Sequence, residues 1–440
     1  GSSPQPSASK YFSGMVWAAW LGVALVGGCV LFPYNCLLQA QAYFDHHAFK
    51  GLAFPFTSML CYSGPLCAAQ AVLTVVGNRF TVNGRMWLSH LGTMLACAVL
   101  MACSLLTHFL ELPGLLYAVC LATIVGLSVM NSVMQASIMG LAGTMGPALS
   151  AAAMFGFGIC GLLAFGLSLL LELLLGKGGS GGLQPAVQAA ALFACCLAYT
   201  GASAWAYHGW FSRRVPAARD ALAALEARRA PAAPAGTQAS RPACAPLREV
   251  SAHSALECEQ VAGETSLRQR VAPVVRTIAP QAFNVWLVFA VTMSVFPGVM
   301  DSWSPGAGSA FAKAPDTFSR LLTGCFQIFD VCGRYLAESL ARWVPPKRLW
   351  MLSALRLLFV PAFMLGQRSP ESSVVWGSDV GRFLLVTFLA LSNGFVASCA
   401  MMFGPELCES GCREVAGIAM SCTMVTGIFS GTLLAFLTQL

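Results

Sequence analysis

The sequence predicts an all-α, polytopic membrane protein with eleven transmembrane helices in a six-plus-five arrangement. Three observations carry that expectation. Of 440 residues, 57% are hydrophobic and 10% charged, against about 25% charged in an ordinary soluble domain, so the chain lacks the polar surface to cover a water-soluble globule. Its apolar residues gather in eleven runs of about 20 residues, the length that crosses a hydrocarbon core. The net charge is +7, but ten of the 25 basic residues are arginines between His208 and Thr277. That clustering fits one cytoplasmic loop and argues against nucleic acid as a partner.

The spans are read at 14–37, 52–76, 86–109, 113–139, 149–175, 185–209, 280–300, 318–341, 349–366, 380–403 and 414–437. The first exceeds a signal-peptide core in length and reads as a true span. With residues 1–13 as a cytoplasmic tail, the inner side collects 17 Lys and Arg against six outside. The chain is therefore expected in the plasma membrane with its N-terminus cytoplasmic and its C-terminus extracellular. Residues 14–209 form a six-helix bundle in this reading and 278–440 a five-helix bundle. Between them, 210–277 includes RRAPAAPAGTQASRPACAP, too poor in large apolar residues to fold alone, and is expected to be a disordered loop.

Eighteen cysteines suggest a disulfide framework until they are placed. Cys29, Cys61, Cys97, Cys120, Cys160, Cys195 and Cys399 all lie in apolar runs, where Cys acts as a small residue that lets helices approach. Paired CxxC with partner histidines is absent, so no metal site and no cofactor are expected.

The eighth span breaks the apolar rule. Thr323, Gln327, Asp330, Arg334 and Glu338 recur at spacings of four, three, four and four in it, which puts them on one helix face. A charge in mid-membrane costs about 2.5–3.5 kcal/mol on insertion scales and persists where it pairs or lines a water-filled cavity. Asp330 and Arg334 can pair. Arg334 lies seven residues from the inner end of its span and Arg356 seven from the inner end of the next, so the two arginines are expected at similar depth with Asp330 and Glu338 between them. Glu338 and Arg356 then read as a structural charge cluster, and Asp330 as a substrate contact.

Other polar residues occur on oily helices: Asn131 and Gln135 in the fourth span, Tyr34 and Asn35 in the first, Ser392 and Asn393 in the tenth. Each alone suits interhelical hydrogen bonding; together they imply a central polar cavity. VLFPYN at 30–35 and SVFPGV at 294–299 put Phe-Pro well along the first helix of each half. Pro33 and the Phe296–Pro297 pair are expected to kink or gate those helices, as in transporters built from repeats.

At these residues the sequence resembles the equilibrative nucleoside transporter family. The resemblance rests on LFPYN (31–35), QASIMGLAG (135–143), FPG (296–298), FQIFDVCGRYL (326–336), LRLLFVP (355–361), SNGFVAS (392–398) and FGP (403–405). It implies a major-facilitator-like fold lacking one helix, working by alternating access on nucleosides, purine ones or nucleobases included. It further implies that Gln135 meets the base while Asp330 and Arg334 hold the ribose. Tyr34 stands where the family commonly has Trp, and Gln327 where Asn is common; both are expected at the substrate. The expected partners are the bilayer and a small-molecule substrate, and the chain is expected to act as a monomer.

Competing functions are weaker on the residues. An organic cation or monoamine transporter of the same fold would use Asp330 as counter-ion, but Arg334 one turn away already neutralises it. An intramembrane enzyme would need a nucleophile–base pair or metal ligands, and no catalytic residue suggests itself. Six plus five spans do not suit a seven-helix receptor, and GxxxxGK[ST] is absent. Whether transport is facilitative or proton-linked is left open by the residues.

Overall fold

Without water to bond the backbone, apolar segments cross a bilayer as helices, and every regular element among the described residues is helical. The structure is a computed structural model that describes residues 8–110, 112–176, 183–229, 267–306, 309–313, 315–368 and 378–439. Its helices are α1 (Ala8–Tyr43), α2 (Phe54–Val76), α3 (Val82–Phe109), α4 (Pro113–Met145), α5 (Pro147–Leu175), α6 (Gln184–Trp205), α7 (Pro216–Arg229), α8 (Leu267–Val295), α9 (Pro315–Leu340), α10 (Leu349–Leu355), α11 (Phe359–Arg368), α12 (Asp379–Glu406) and α13 (Arg413–Gln439). Proline in the first turn opens α2, α4, α5 and α6, where its missing N–H costs nothing. Thr81 caps α3 through Gly84 N and Ser378 caps α12 through Gly381 N, each at 3.1 Å.

Among the described residues, ten helical segments are long and apolar enough to cross a membrane, with α10 and α11 forming one of them. The other expected span is α9, 26 residues long, whose charges keep it from qualifying on composition. The expected loop at 210–277 is corrected at both ends. Residues 210–214 continue α6, residues 216–229 are α7, and 267–277 belong to α8; residues 230–266 lie outside the described residues. Buried Ala218, Leu222 and Leu225 are spaced four and three apart, one narrow stripe that packs on α1 and α4. Few large apolar residues suffice because the groove is supplied by the bundle.

The two halves repeat one packing scheme. In each, the first helix lies against the fifth: α1 on α5, and α8 on α13. Both contacts are close because glycine removes the side chain. A Cβ on Gly27 would sit 2.7 Å from Ala153 O, and one on Gly427 2.6 Å from Trp286 O, the small-residue logic of membrane interfaces. Across the halves, α2 meets α13 as α9 meets α5, and α4 meets α13 as α12 meets α5. This is a two-fold exchange of equivalent helices, in which α6 has no counterpart among the described residues.

The apolar core is divided unevenly. At the α7 end, one cluster takes residues from both halves, including Val23, Met139, Phe211, Leu222, Val285 and Met420. Toward the opposite end each half has a cluster of its own, the first-half one joined by Val425 of α13. One surrounds Phe44, Phe49 and Phe54; the other surrounds Phe296, Phe318, Phe326 and Phe363. The halves share a broad apolar core at the α7 end, while toward the other end Val425 and the Glu172–Arg320 pair join them.

Candidate functional site

Asp330 and Arg334 lie one turn apart on α9, 4% and 5% exposed. Arg334 Nε donates to Asp330 Oδ2 at 2.7 Å, and its Nη1 donates to Met154 O of α5 at 3.1 Å. The pair thus bridges the halves. It fits because α5 has glycine there: a Cβ on Gly158 would come within 2.6 Å of Arg334 Cδ, and one on Gly161 within 2.9 Å of Gln327 Cδ. Gln327 therefore lies flat on α5 beside the pair.

The α12 segment SNG completes the group. Asn393 Nδ2 donates to Asp330 Oδ1 at 2.7 Å, and Gly394 brings the α12 backbone against the Asp330–Arg334 turn, where a Cβ would lie 2.8 Å from Arg334 N. Thr292 of α8 donates to Asn393 Oδ1 at 2.8 Å and accepts from Arg356 Nη2 at 2.6 Å. Arg356, fully buried in the 3₁₀ turn between α10 and α11, also donates to Leu389 O at 3.0 Å and to Ser392 Oγ.

The expected Glu338–Arg356 cluster does not form. The Nη groups of Arg356 donate to hydroxyls, a carbonyl and an amide, whereas Glu338 accepts from Trp20 Nε1 of α1 at 3.0 Å. The two side chains face different neighbours. Glu338 is a tie between the halves on the α7 side, not a partner of Arg356.

Across the bundle, Tyr34 stacks on Tyr62, centroids 3.9 Å apart at 14°, and Tyr62 OH accepts from Asn131 Nδ2 at 3.0 Å. Asn35 Nδ2 donates to Cys160 Sγ at 3.4 Å, which places this aromatic pair beside the α5 segment that receives Arg334. Gln135, one turn beyond Asn131 on α4, donates through Nε2 to Ser421 Oγ of α13 at 2.9 Å. Its Oε1 is buried with no hydrogen-bond partner among the described residues. The predicted polar residues thus form two groups, one around Asp330 and one around Gln135, joined through α5 and Tyr34.

The Phe-Pro pair acts differently in the two halves. Pro33 lies inside α1, which runs through it without a break. At Phe296–Pro297 the helix α8 ends at Val295 and a short turn follows from Gly298; Phe296 stacks on Phe326 of α9, centroids 3.9 Å apart.

Sequence reasoning missed the charges of the α7 end. Arg85 of α3 donates to Glu414 of α13 at 2.8 Å, with side chains 4% and 8% exposed, and Arg229 of α7 reaches the same carboxylate at 2.5 Å. Arg228 Nη1 adds a bond to Ser410 O at 3.0 Å. Arg85 and the loop arginines entered the sequence reading only as orientation signals, so their acidic partner went unnoticed. A separate groove of about 780 Å³ between α5 and α9, at the end away from α7, is lined mainly by Phe165, Leu169, Leu173, Leu321 and Ile328. The Glu172–Arg320 pair crosses it, and its apolar walls do not suit a polar solute.

Two similar helical halves, joined by a broad core at one end and enclosing buried polar groups at their junction, have the layout of the major-facilitator fold. Solved structures agree. The FucP transporter of that superfamily in its outward conformation aligns with a TM-score of 0.59 at 11% identity, over 96% of this chain and 90% of that one. The proton:xylose symporter XylE aligns at 0.53 and 12%, over 98% and 89%. The nucleoside transporter family pattern matches residues 121–440, and the chain belongs to that family. Equilibrative nucleoside transporter 2 of Rattus norvegicus is 28% identical over 377 residues, 79% of this chain and 77% of its own. Equilibrative nucleoside transporter 1 of Homo sapiens is 31% identical over 179 residues, 39% of each chain. Nucleoside transporter 1.2 of Leishmania donovani is 31% identical over 167 residues, 36% of this chain and 30% of that one. The family is one of membrane transporters, not enzymes, and membrane nucleoside transport is the activity it carries.

Proposed function

We propose that the chain carries nucleosides, purine nucleosides foremost and nucleobases besides, across the plasma membrane by alternating access. The observation that supports this most directly is the buried Asp330–Arg334 pair, bonded to both halves through Met154 and Asn393. A ribose presents neighbouring hydroxyls that each donate and accept. Asp330 has lone pairs beyond the two it gives to Asn393 and Arg334, and Arg334 Nη2 has no bonded partner among the described residues, so the pair can accept from one hydroxyl and donate to the other. Gln135 offers an amide to a base edge, and the half-buried ring of Tyr34 an apolar face to the base. Gln327, one turn from Asp330, adds a further polar contact.

The access cycle uses the uneven core. The positive-inside bias assigns the α7 end to the cytoplasm, so the broadly joined end is the inner one. Glu414, held by Arg85 and Arg229, and Glu338, held by Trp20, tie the halves at that end. Rocking of one half on the other breaks these ties and joins the outer clusters. A monomer suffices, because both halves lie in one chain.

Uptake of labelled inosine, adenosine, hypoxanthine and a monoamine, each at two external pH values, tests this reading. Saturable and mutually competitive inosine and adenosine uptake is expected, with little response to pH and no monoamine uptake. Monoamine uptake without nucleoside uptake would replace it with a cation carrier of the same fold.

A further inference from the structure

Gln70 takes no part in the readings above, yet it is fully buried on α2 with both ends of its amide engaged. Its Nε2 donates to Ser421 Oγ at 2.6 Å and its Oε1 accepts from Ser132 Oγ at 2.7 Å. The same Ser421 hydroxyl accepts from Gln135 Nε2 at 2.9 Å. Three helices from the two halves, α2, α4 and α13, therefore converge on one oxygen. The consequence falls on Gln135. An amide can turn either its NH2 or its C=O toward a ligand, and the two choices recognise opposite base edges. Here the NH2 is taken by Ser421, and Oε1 is left as a buried acceptor with no partner among the described residues. Buried polar atoms are seldom left unpaired, so this oxygen is the natural place for a ligand donor.

We propose that Gln70 and Ser421 are positioning residues that hold the Gln135 amide with its oxygen toward the substrate, so that the protein favours bases presenting an N–H donor. Ser421 fixes the amide directly. Gln70, itself held by Ser132, fixes the hydroxyl of Ser421. The inference rests on Gln135 meeting the base. It adds a chemical rule: adenosine, with its exocyclic amine, and inosine, with its ring N–H, satisfy Oε1. Purine riboside and N6,N6-dimethyladenosine offer no donor on that edge and do not.

The test measures the binding preference of the purified full chain, from ligand-induced shifts in melting temperature, alongside competition with labelled adenosine uptake. The parent is expected to favour adenosine over purine riboside and the dimethyl analogue by about 2- to 10-fold, the yield of one neutral hydrogen bond. Ser421→Ala and Gln70→Met should bring that ratio close to one, because the amide is then free to turn. Ser421→Thr, which keeps the hydroxyl, should restore it. Gln135→Ala separates the two layers of the argument. If Gln135→Ala flattens the ratio while Ser421→Ala and Gln70→Met keep it at the parental value, the positioning role is overturned and the base contact stands. If Gln135→Ala leaves the ratio unchanged, the base contact falls and the inference falls with it. A parent preferring purine riboside would mean the amide presents its NH2, which contradicts the proposal directly.

Discussion

Asn393 of α12 donates to Asp330 Oδ1 of α9 at 2.7 Å, while Arg334 occupies the other carboxylate oxygen. The charge pair is thus a three-residue unit spanning two helices, and Thr292 and Arg356 brace its amide from behind. A hydrogen bond to a charged group contributes about 1.5–3 kcal/mol. Asn393→Leu keeps the size of the side chain and removes the donor. Inosine affinity is expected to fall at least about tenfold at equal surface expression. Parental affinity in that variant would show that Asp330 needs no help from α12.

The α5 glycines make a paired prediction. A Cβ on Gly158 would press on Arg334 Cδ at 2.6 Å and Nε at 2.8 Å, whereas one on Gly166 meets nothing within 4 Å. Gly158→Ala should impair nucleoside uptake, and Gly166→Ala should stay within about 0.5 kcal/mol of the parent in stability with uptake retained. Initial uptake rates normalised to surface protein compare them. Equal rates for Gly158→Ala and Gly166→Ala would mean that Arg334 has room to move aside.

At the α7 end, Glu414 balances two arginines, Arg85 and Arg229. Removing one member of a buried ion pair costs about 3–5 kcal/mol in soluble proteins. Glu414→Gln should loosen the joined end, lower thermal stability and speed alkylation of the buried Cys408, followed by mass spectrometry. Replacing residues 230–266 with a flexible linker should leave uptake intact, whereas extending the deletion through α7 should reduce it. Unaltered Cys408 labelling in Glu414→Gln would remove the ion pair from the gate.

Tyr34 stacks on Tyr62, so enlarging its ring extends an existing stack. Tyr34→Trp should transport with altered base selectivity, and Tyr34→Ala should lose more, because Tyr62 also loses its partner. If neither variant differs from the parent in the ratio of inosine to hypoxanthine uptake, Tyr34 serves packing alone.

The charged face of α9 was legible because helical periodicity collects Gln327, Asp330, Arg334 and Glu338, and charge inside an apolar run needs an explanation. The partners were harder to read. Depth in the membrane brought Arg356 near Asp330 but could not reveal that Glu338 turns toward Trp20, since sequence spacing fixes position along a helix and not which neighbour lies across from it. The helix α7 escaped notice because its apolar stripe is only Ala218, Leu222 and Leu225, sufficient where α1 and α4 supply the groove. Gln70 and Ser421 were single polar residues in separate spans; a glutamine deep in an apolar run was the available signal, and it went unused for want of a partner in sequence.

The central claim is that Asp330 and Arg334 hold the sugar. Arg334→Lys keeps the positive charge but loses the planar, multiply donating guanidinium, so the protein should still insert while its fit to a diol is lost. The deciding measurement is the apparent affinity of this variant for inosine and for hypoxanthine, which share a base and differ by the ribose, at matched surface expression. The account predicts a loss for inosine of about tenfold or more and a much smaller one for hypoxanthine. Equal losses for both would contradict the ribose assignment and leave Asp330 and Arg334 as a clamp between helices.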